Sequence, residues 1–328
     1  MGKSKIPETG IYDARQLGTG RMLLLGFQHM FAMFGATILV PILTGLDVSN
    51  TLLFAGLGTL LFHLITGGKV PAFLGSSFAF LGGYATIAPM LGEHQDIPNL
   101  EMLPYACFGV ACAGLVYVIL AYLFKVFGAK KVMRFFPPIV TGPIIIAIGL
   151  NLSSSAINNC TGSWWIAIAA ILIIVAANIW GKGMIKIIPI LLGVIGSYVI
   201  AVIADPAVRD NLVQNVSEAE WFALPIKMEQ TVFGLFASGN VDAHKLLTAA
   251  ITIVPLSLAT MVEHIGDVSA ISSTCDRNYI EDPGLHRTLM GDGLATTLAA
   301  LFGAPANTTY GENTGVLALS RIYDPRVI

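Results

Sequence analysis

The sequence predicts an all-α polytopic membrane protein, and three observations lead there. Of 328 residues, 55% are apolar and only 12% charged, and the mean hydropathy is +0.75, outside the range of soluble domains. Apolar stretches long enough to cross about 30 Å of hydrocarbon recur along almost the whole chain. The basic residues fall mainly in alternate connecting segments, so that their positions matter more than the net charge of −2.

Ten spans are expected, at about 18–43, 49–67, 70–90, 103–127, 137–157, 163–181, 184–204, 245–272, 286–303 and 306–322. If the N-terminus is cytoplasmic and the spans cross in turn, 15 of the 18 Lys and Arg lie inside. Only Arg209, Lys227 and Lys245 fall outside, which is the bias of the positive-inside rule. Removing one middle span would put the later basic clusters on the wrong side, so count and orientation constrain each other. Residues 1–20 are polar and the first apolar stretch is too long for a signal-peptide core, which makes it a true span. Pro137, Pro138 and Pro143 are expected to bend the start of the fifth span. Cys107, Cys112, Cys160 and Cys275 are scattered with no CxxC and read as small apolar fillers. His63, His94, His244 and His286 are placed in or near loops, without a functional role.

The longest polar interval, Asp205 to His244, separates seven spans from three. An odd number of spans in the first unit makes a similar second unit run in the opposite sense, the inverted-repeat layout of many transporters. A single shift of 235 residues places Gln28 on Glu263, His29 on His264 and Ser77 on Glu312. Both of the later polar segments follow Gly/Pro-rich approaches, Gly67 to Pro71 and Gly303 to Pro305. The first unit runs for about 190 residues and the second for 84, from Lys245 to Ile328, so about four spans of a full second unit are expected to be missing. A fragment and a shortened form fit that expectation equally.

Two places carry candidate chemistry. Glu263, His264 and Asp267 stand in the apolar run LLTAAITIVPLSLATMVEHIGDVSAISST. Helical spacing puts Glu263 and Asp267 on one face and turns His264 about 100° away. A carboxylate at mid-span costs about 2.5–3.5 kcal/mol on insertion scales, so such residues face a bundle interior or a water-filled cavity. The alternative for Asp267 is a position near the inner end of its span, meeting interfacial water. The second place is NTTYGENTGVLALSR, Asn307 to Arg321, too apolar for a surface loop and too rich in Gly, Thr and Asn for a lipid-facing helix. Non-helical backbone in a bilayer is tolerated only where protein buries it or it lines a cavity. The stretch before Glu312 is therefore read as extended, with a half-helix starting near Asn313, and Gly75 to Phe80 as its counterpart. His29 is a weaker signal: an intramembrane His ties helices together more often than it carries protons. EHIGD does not supply an HExxH zinc site and GxSxG is absent, so no enzyme, metal or cofactor is expected.

These residues also resemble a known family. GFQHMFAMFGATILVP (Gly26–Pro41), GSSFAF, EHIGD, DPGLHR and NTTYGENTG resemble the nucleobase:cation symporter-2 family, the nucleobase–ascorbate transporters, and within it the bacterial uracil-permease branch. The resemblance runs from about Leu17 to the end. The family signature E/Q-N-x-G-x-x-x-x-T-R/K is met by Glu312-Asn313-Thr314-Gly315 through Ser320-Arg321, with Ser320 in place of Thr.

The resemblance implies fourteen spans in two inverted repeats of seven, truncated here to about ten, with two discontinuous spans. It divides the chain into a cytoplasmic tail (1–17), core (18–134 and 245–328) and gate (135–204) domains, and an extracytoplasmic loop (205–244). It implies import of a nucleobase, most simply uracil, by proton symport and an elevator movement across the bacterial inner membrane, as a homodimer and with no nucleic-acid partner. The resemblance makes Glu263 and Glu312 side-chain ligands of the base, gives the backbone of Phe78 and Gly311 the remaining polar contacts, and places Ala36 and Tyr310 close to it. Asp267, Glu263 and His29 become the proton-coupling candidates; relatives carry His or Asp at the position of Asp267. Xanthine or another nucleobase, and a non-transporting binding or sensing role on the same scaffold, are the alternatives.

Overall fold

The computed structural model describes residues 10–92, 97–132, 160–182, 189–218 and 224–328, with residues 134, 143, 146, 147, 150, 153, 157, 158 and 185 between them. The expected fifth span at 137–157, its proline bend and His94 lie outside these continuous stretches. The chain order is α1 (Thr19–Thr44), α2 (Val48–Thr66), β1 (Leu74–Ser76), α3 (Leu81–Ile87), α4 (Leu103–Phe127), α5 (Ala129–Val132), α6 (Trp164–Trp180), α7 (Pro189–Ala204), α8 (Pro206–Glu218), α9 (Val232–Ala237), α10 (Ala243–Ile253), α11 (Leu256–Thr274), α12 (Leu285–Leu301), β2 (Asn307–Thr309) and α13 (Gly311–Ser320).

Among the described residues four helical stretches are long and apolar enough to cross a membrane: Thr19–Thr44, Val48–Thr66, Leu103–Phe127 and Ala243–Thr274. The last is α10 and α11 joined through Pro255. Their outer faces are apolar, with Leu23 70%, Leu64 78% and Ile251 65% exposed, a surface suited to lipid rather than water. Local chemistry sets the ends. Asp47 caps α2 by accepting from the Asn50 amide at 2.9 Å, and Gly45 and Gly67 close α1 and α2 in the left-handed conformation.

Three local details go beyond the sequence reading. The interval 205–244 is not simply a loop: Pro206–Glu218 is helical, bent by 109° from Leu192–Ala204, and Val232–Ala237 is a short helix capped by Thr231. His63, His244 and His286 lie in the end turns of α2, α10 and α12, close to loops. Part of the polar tail is docked: Ile11 pairs with Ile322, the Ala14 amide donates to Asp324 at 2.7 Å, and the Tyr12 hydroxyl donates to the Cys275 carbonyl at 2.6 Å. All four cysteines are free, as fillers should be.

α12 lies at the centre, packed on α2 and α4. Gly114 and Gly293 let α4 and α12 approach until a Cβ on either would fall 2.7 Å from the other's carbonyl oxygen. Phe62, Leu74, Tyr117, Ile265, Leu289 and Leu317 fill the core around this crossing. The two expected discontinuous spans meet against it.

Candidate functional site

Neither 70–90 nor 306–322 is a continuous helix. Each segment runs as a three-residue strand, one extended residue and then a helical turn. In the first, Leu74–Ser76 and Ser77 lead into a 3-10 turn, Phe78–Phe80, and α3; in the second, Asn307–Thr309 and Tyr310 lead into α13. The strands pair antiparallel, Leu74 with Thr309, Gly75 with Thr308 and Ser76 with Asn307. Two further bonds extend the crossing, Ser77 amide to Ala306 carbonyl at 2.8 Å and Tyr310 amide to Phe73 carbonyl at 3.0 Å. Pairing satisfies the backbone groups that leaving the helix would otherwise strand in an apolar surrounding. The common layout places Ser77 beside Tyr310 and Phe78 beside Gly311, two residues off the alignment of Ser77 with Glu312. α13 begins at Gly311, two residues before the expected Asn313.

Side chains from neighbouring helices hold the crossing. Thr59 accepts from the Leu74 amide at 3.0 Å, Asn307 donates to the Phe54 carbonyl at 3.0 Å, and Thr296 donates to the Asn307 carbonyl at 2.7 Å. At the helix starts the pattern reverses. Neither Ser77 nor Tyr310 makes a side-chain capping bond, and the buried Ser77 hydroxyl has no partner among the described residues. First-turn amides at such ends carry partial positive charge and are ready to bind an acceptor.

The carboxylates converge here. α11 carries Glu263 and Asp267 half-buried on one face. Asp267 Oδ1 lies 3.7 Å from where a Cβ on Gly311 would stand, which seats it against the first turn of α13. Glu312 is in that turn and exposed. Glu263, Asp267 and Glu312 are within electrostatic reach of one another. Ala36 packs in one cluster with Tyr310, Phe73 and Met33. His29 is buried behind the first turn of α13, its ring Nδ1 and carbonyl facing Asn313 Nδ2 at 3.1 and 3.2 Å, a tie between α1 and α13.

One buried acid escaped the sequence reading. Asp292 in α12 is fully buried, with Oδ2 3.2 Å from His264 Nδ1, and the same nitrogen is 3.1 Å from Thr309 Oγ1. His264, turned away from Glu263 as the helical spacing predicts, thus ties α11 to α12 and β2. A lone Asp in MGDGLATTLAAL was the available signal, of the same kind that singled out Glu263.

A helical membrane fold with two crossed, broken segments and converging carboxylates defines a polytopic membrane transporter. The model of the permease family matches residues 20–328, and the chain belongs to this family, the nucleobase:cation symporter-2 transporters. It is 39% identical over 319 residues to a uracil permease of Bacillus caldolyticus, an alignment covering 94% of this chain and 69% of that one. It is 38% identical over 316 residues to the uracil permease of Bacillus subtilis, covering 92% and 67%. Among solved structures, the transmembrane domain of a cyanobacterium bicarbonate transporter, BicA, shares the fold at a TM-score of 0.62 and 15% identity, over 97% of this chain and 80% of that one. The relatives are permeases, so the expectation of a transporter rather than an enzyme holds.

Proposed function

We propose that this chain binds uracil at the crossing of the two broken segments and imports it with protons. The observation that carries the reading is the pair Glu263 and Glu312, on α11 and at the start of α13, beside helix starts that no side chain caps. Uracil is planar, with two N–H donors and two carbonyl acceptors on its edge. Carboxylates suit the donors, and first-turn amides at Phe78 and Gly311 suit the acceptors. Ala36 and Tyr310 supply the apolar flank. The relatives named uracil permeases support the same substrate class, while one methyl in a pocket, worth about 1–3 kcal/mol, separates uracil from thymine only modestly.

Asp267 and Glu263, one helical turn apart, are placed to share or exchange a proton, and His29 serves as a tie rather than a carrier. Each proton entering down about 100 mV contributes about 2.3 kcal/mol, enough for between one and two decades of accumulation. α6 packs chiefly on α7, whereas α2, α4 and α10 to α12 pack on one another. That division supports core (18–134 and 245–328) and gate (135–204) units moving as an elevator, related by an inverted repeat and assembled as a homodimer. The basic-residue bias supports a cytoplasmic tail (1–17), an extracytoplasmic 205–244 and the bacterial inner membrane.

The test has two arms. Purified chain should bind radiolabelled uracil and lose about 100-fold in affinity on Glu312→Gln, the scale of a charge-assisted pair left unmade. Cells producing the chain should take up uracil and stop on addition of a protonophore. Binding indifferent to Glu312→Gln overturns the site, and uptake indifferent to the protonophore overturns the coupling.

A further inference from the structure

Three buried hydroxyls from three elements meet beside the crossing. Thr37 of α1, Ser76 of β1 and Tyr310 before α13 are 0%, 0% and 4% exposed. Thr37 Oγ1 donates to the Tyr310 hydroxyl at 3.2 Å, and the Tyr310 hydroxyl donates to the Ser76 carbonyl at 2.9 Å. Ser76 Oγ donates to the Thr37 carbonyl at 2.8 Å and stands 3.3 Å from the Tyr310 hydroxyl, which closes the ring of contacts. A second acceptor for Thr37, Met33 Sδ at 3.8 Å, is the weaker one.

Tyr310 is thereby held at both ends. Its amide is bonded to the Phe73 carbonyl and its phenol to the Ser76 carbonyl, so the residue straddles the first broken segment from one side of β1 to the other. Gly75 lies beneath the ring, where a Cβ would come within 2.4 Å of the Tyr310 Cζ and 2.7 Å of Thr37 Oγ1. The ring reaches its seat only because residue 75 lacks a side chain. Gly311, the first residue of α13, follows Tyr310 directly.

We infer that Thr37, Ser76 and Tyr310 form a hydroxyl brace that locks the two broken segments into one body and fixes where Gly311 presents its amide. Thr37 is then a positioning residue for the bound ligand, although it lies behind Tyr310. The inference rests on the proposed nucleobase site for its effect on binding, but the brace exists without a ligand and is tested without one.

The experiment compares Thr37→Val, which keeps the shape and removes the donor, with Thr37→Ser, which keeps the donor. Amide hydrogen exchange is followed by mass spectrometry on the whole chain without ligand. Thr37→Val should speed exchange about tenfold in peptides covering 73–78 and 307–312 while leaving α6 and α7 unchanged, and Thr37→Ser should restore protection. Uracil affinity should fall about tenfold in Thr37→Val, with the uracil-to-thymine ratio altered, and recover in Thr37→Ser. Unchanged exchange in Thr37→Val, or equal loss in the Val and Ser variants, overturns the brace. If unsubstituted chain binds no uracil, the substrate reading falls while the exchange result still decides the brace.

Discussion

The helix that begins at Val48 and the two helical stretches that begin at Phe78 and Gly311 solve the same problem in opposite ways. Asp47 completes α2 with its carboxylate, and Asp242 does the same for α10 by accepting from the His244 and Lys245 amides. Ser77 and Tyr310 precede the central helix starts without a side-chain cap, although serine is a favoured capping residue and its hydroxyl is buried there unpartnered. The starts of α2 and α10 are finished by the chain's own side chains, whereas α1, α4 and α6 begin without a side-chain cap. The two central starts differ from those in having Glu263, Asp267 and Glu312 beside them, and it is on that arrangement that we propose they hold a ligand. Substitutions beside the uncapped central helix starts should therefore act on binding, and those at the capped ends on stability.

The largest break in this contrast is Glu312→Gln, with about 100-fold loss of uracil affinity and a thermal transition close to that of the unsubstituted chain. Ser77→Ala sharpens the same point on a smaller scale. Its hydroxyl has no partner to lose, so stability should hold while uracil affinity falls about fivefold, measured by equilibrium binding. A stability loss with unchanged binding would make Ser77 an ordinary core residue.

Asn307→Ala tests the crossing itself. Its amide adds a second bond to the mid-helix Phe54 carbonyl at 3.0 Å and sits tightly over Gly58, so removal loses a buried tie between β2 and α2 and opens a hole. A loss of about 1–3 kcal/mol is expected, read as a lowered thermal transition in detergent. Stability equal to that of the unsubstituted chain would mean the strands do not depend on this anchor.

The centre was more legible in sequence than its geometry. Glu263, Asp267 and Glu312 stood out because ionisable groups are costly in an apolar span, and that cost does not depend on knowing the fold. The antiparallel pairing of Leu74–Ser76 with Asn307–Thr309 could not be read, because it joins segments more than two hundred residues apart and each strand is only three residues long. The shift that aligned Gln28 with Glu263 sets Ser77 on Glu312, two residues from the match with Tyr310 that the common strand-to-helix layout gives. Asp292 was missed although the rule that found Glu263 applies to it equally. The helix Pro206–Glu218 was hidden because a polar stretch carries little of the apolar periodicity by which helices are read.

The smallest effect belongs to the periphery. Asp47→Ala should cost about 1 kcal/mol, the usual value of an N-cap, and leave uracil binding unchanged. The acid limb adds a signed expectation. Partial burial works to raise the Asp47 carboxyl, but the hydrogen bond from Lys227, 2.9 Å away, and the Asn50 and Ser49 amides outweigh it and hold the group below its ordinary value of 3.8. A carboxyl lowered in the folded state contributes stability above its unfolded value and loses it as pH falls through the folded one. The cap contribution is thus complete at neutral pH and fades only at pH below the ordinary aspartate range. Lys227→Ala, removing a partly exposed partner worth less than about 1 kcal/mol, should move that fading to higher pH. Melting curves of Asp47→Ala and Lys227→Ala across the acid range separate the two. If Asp47→Ala instead weakened uracil binding while leaving the melt unchanged, the division between the capped starts of α2 and α10 and the open central ones would not hold.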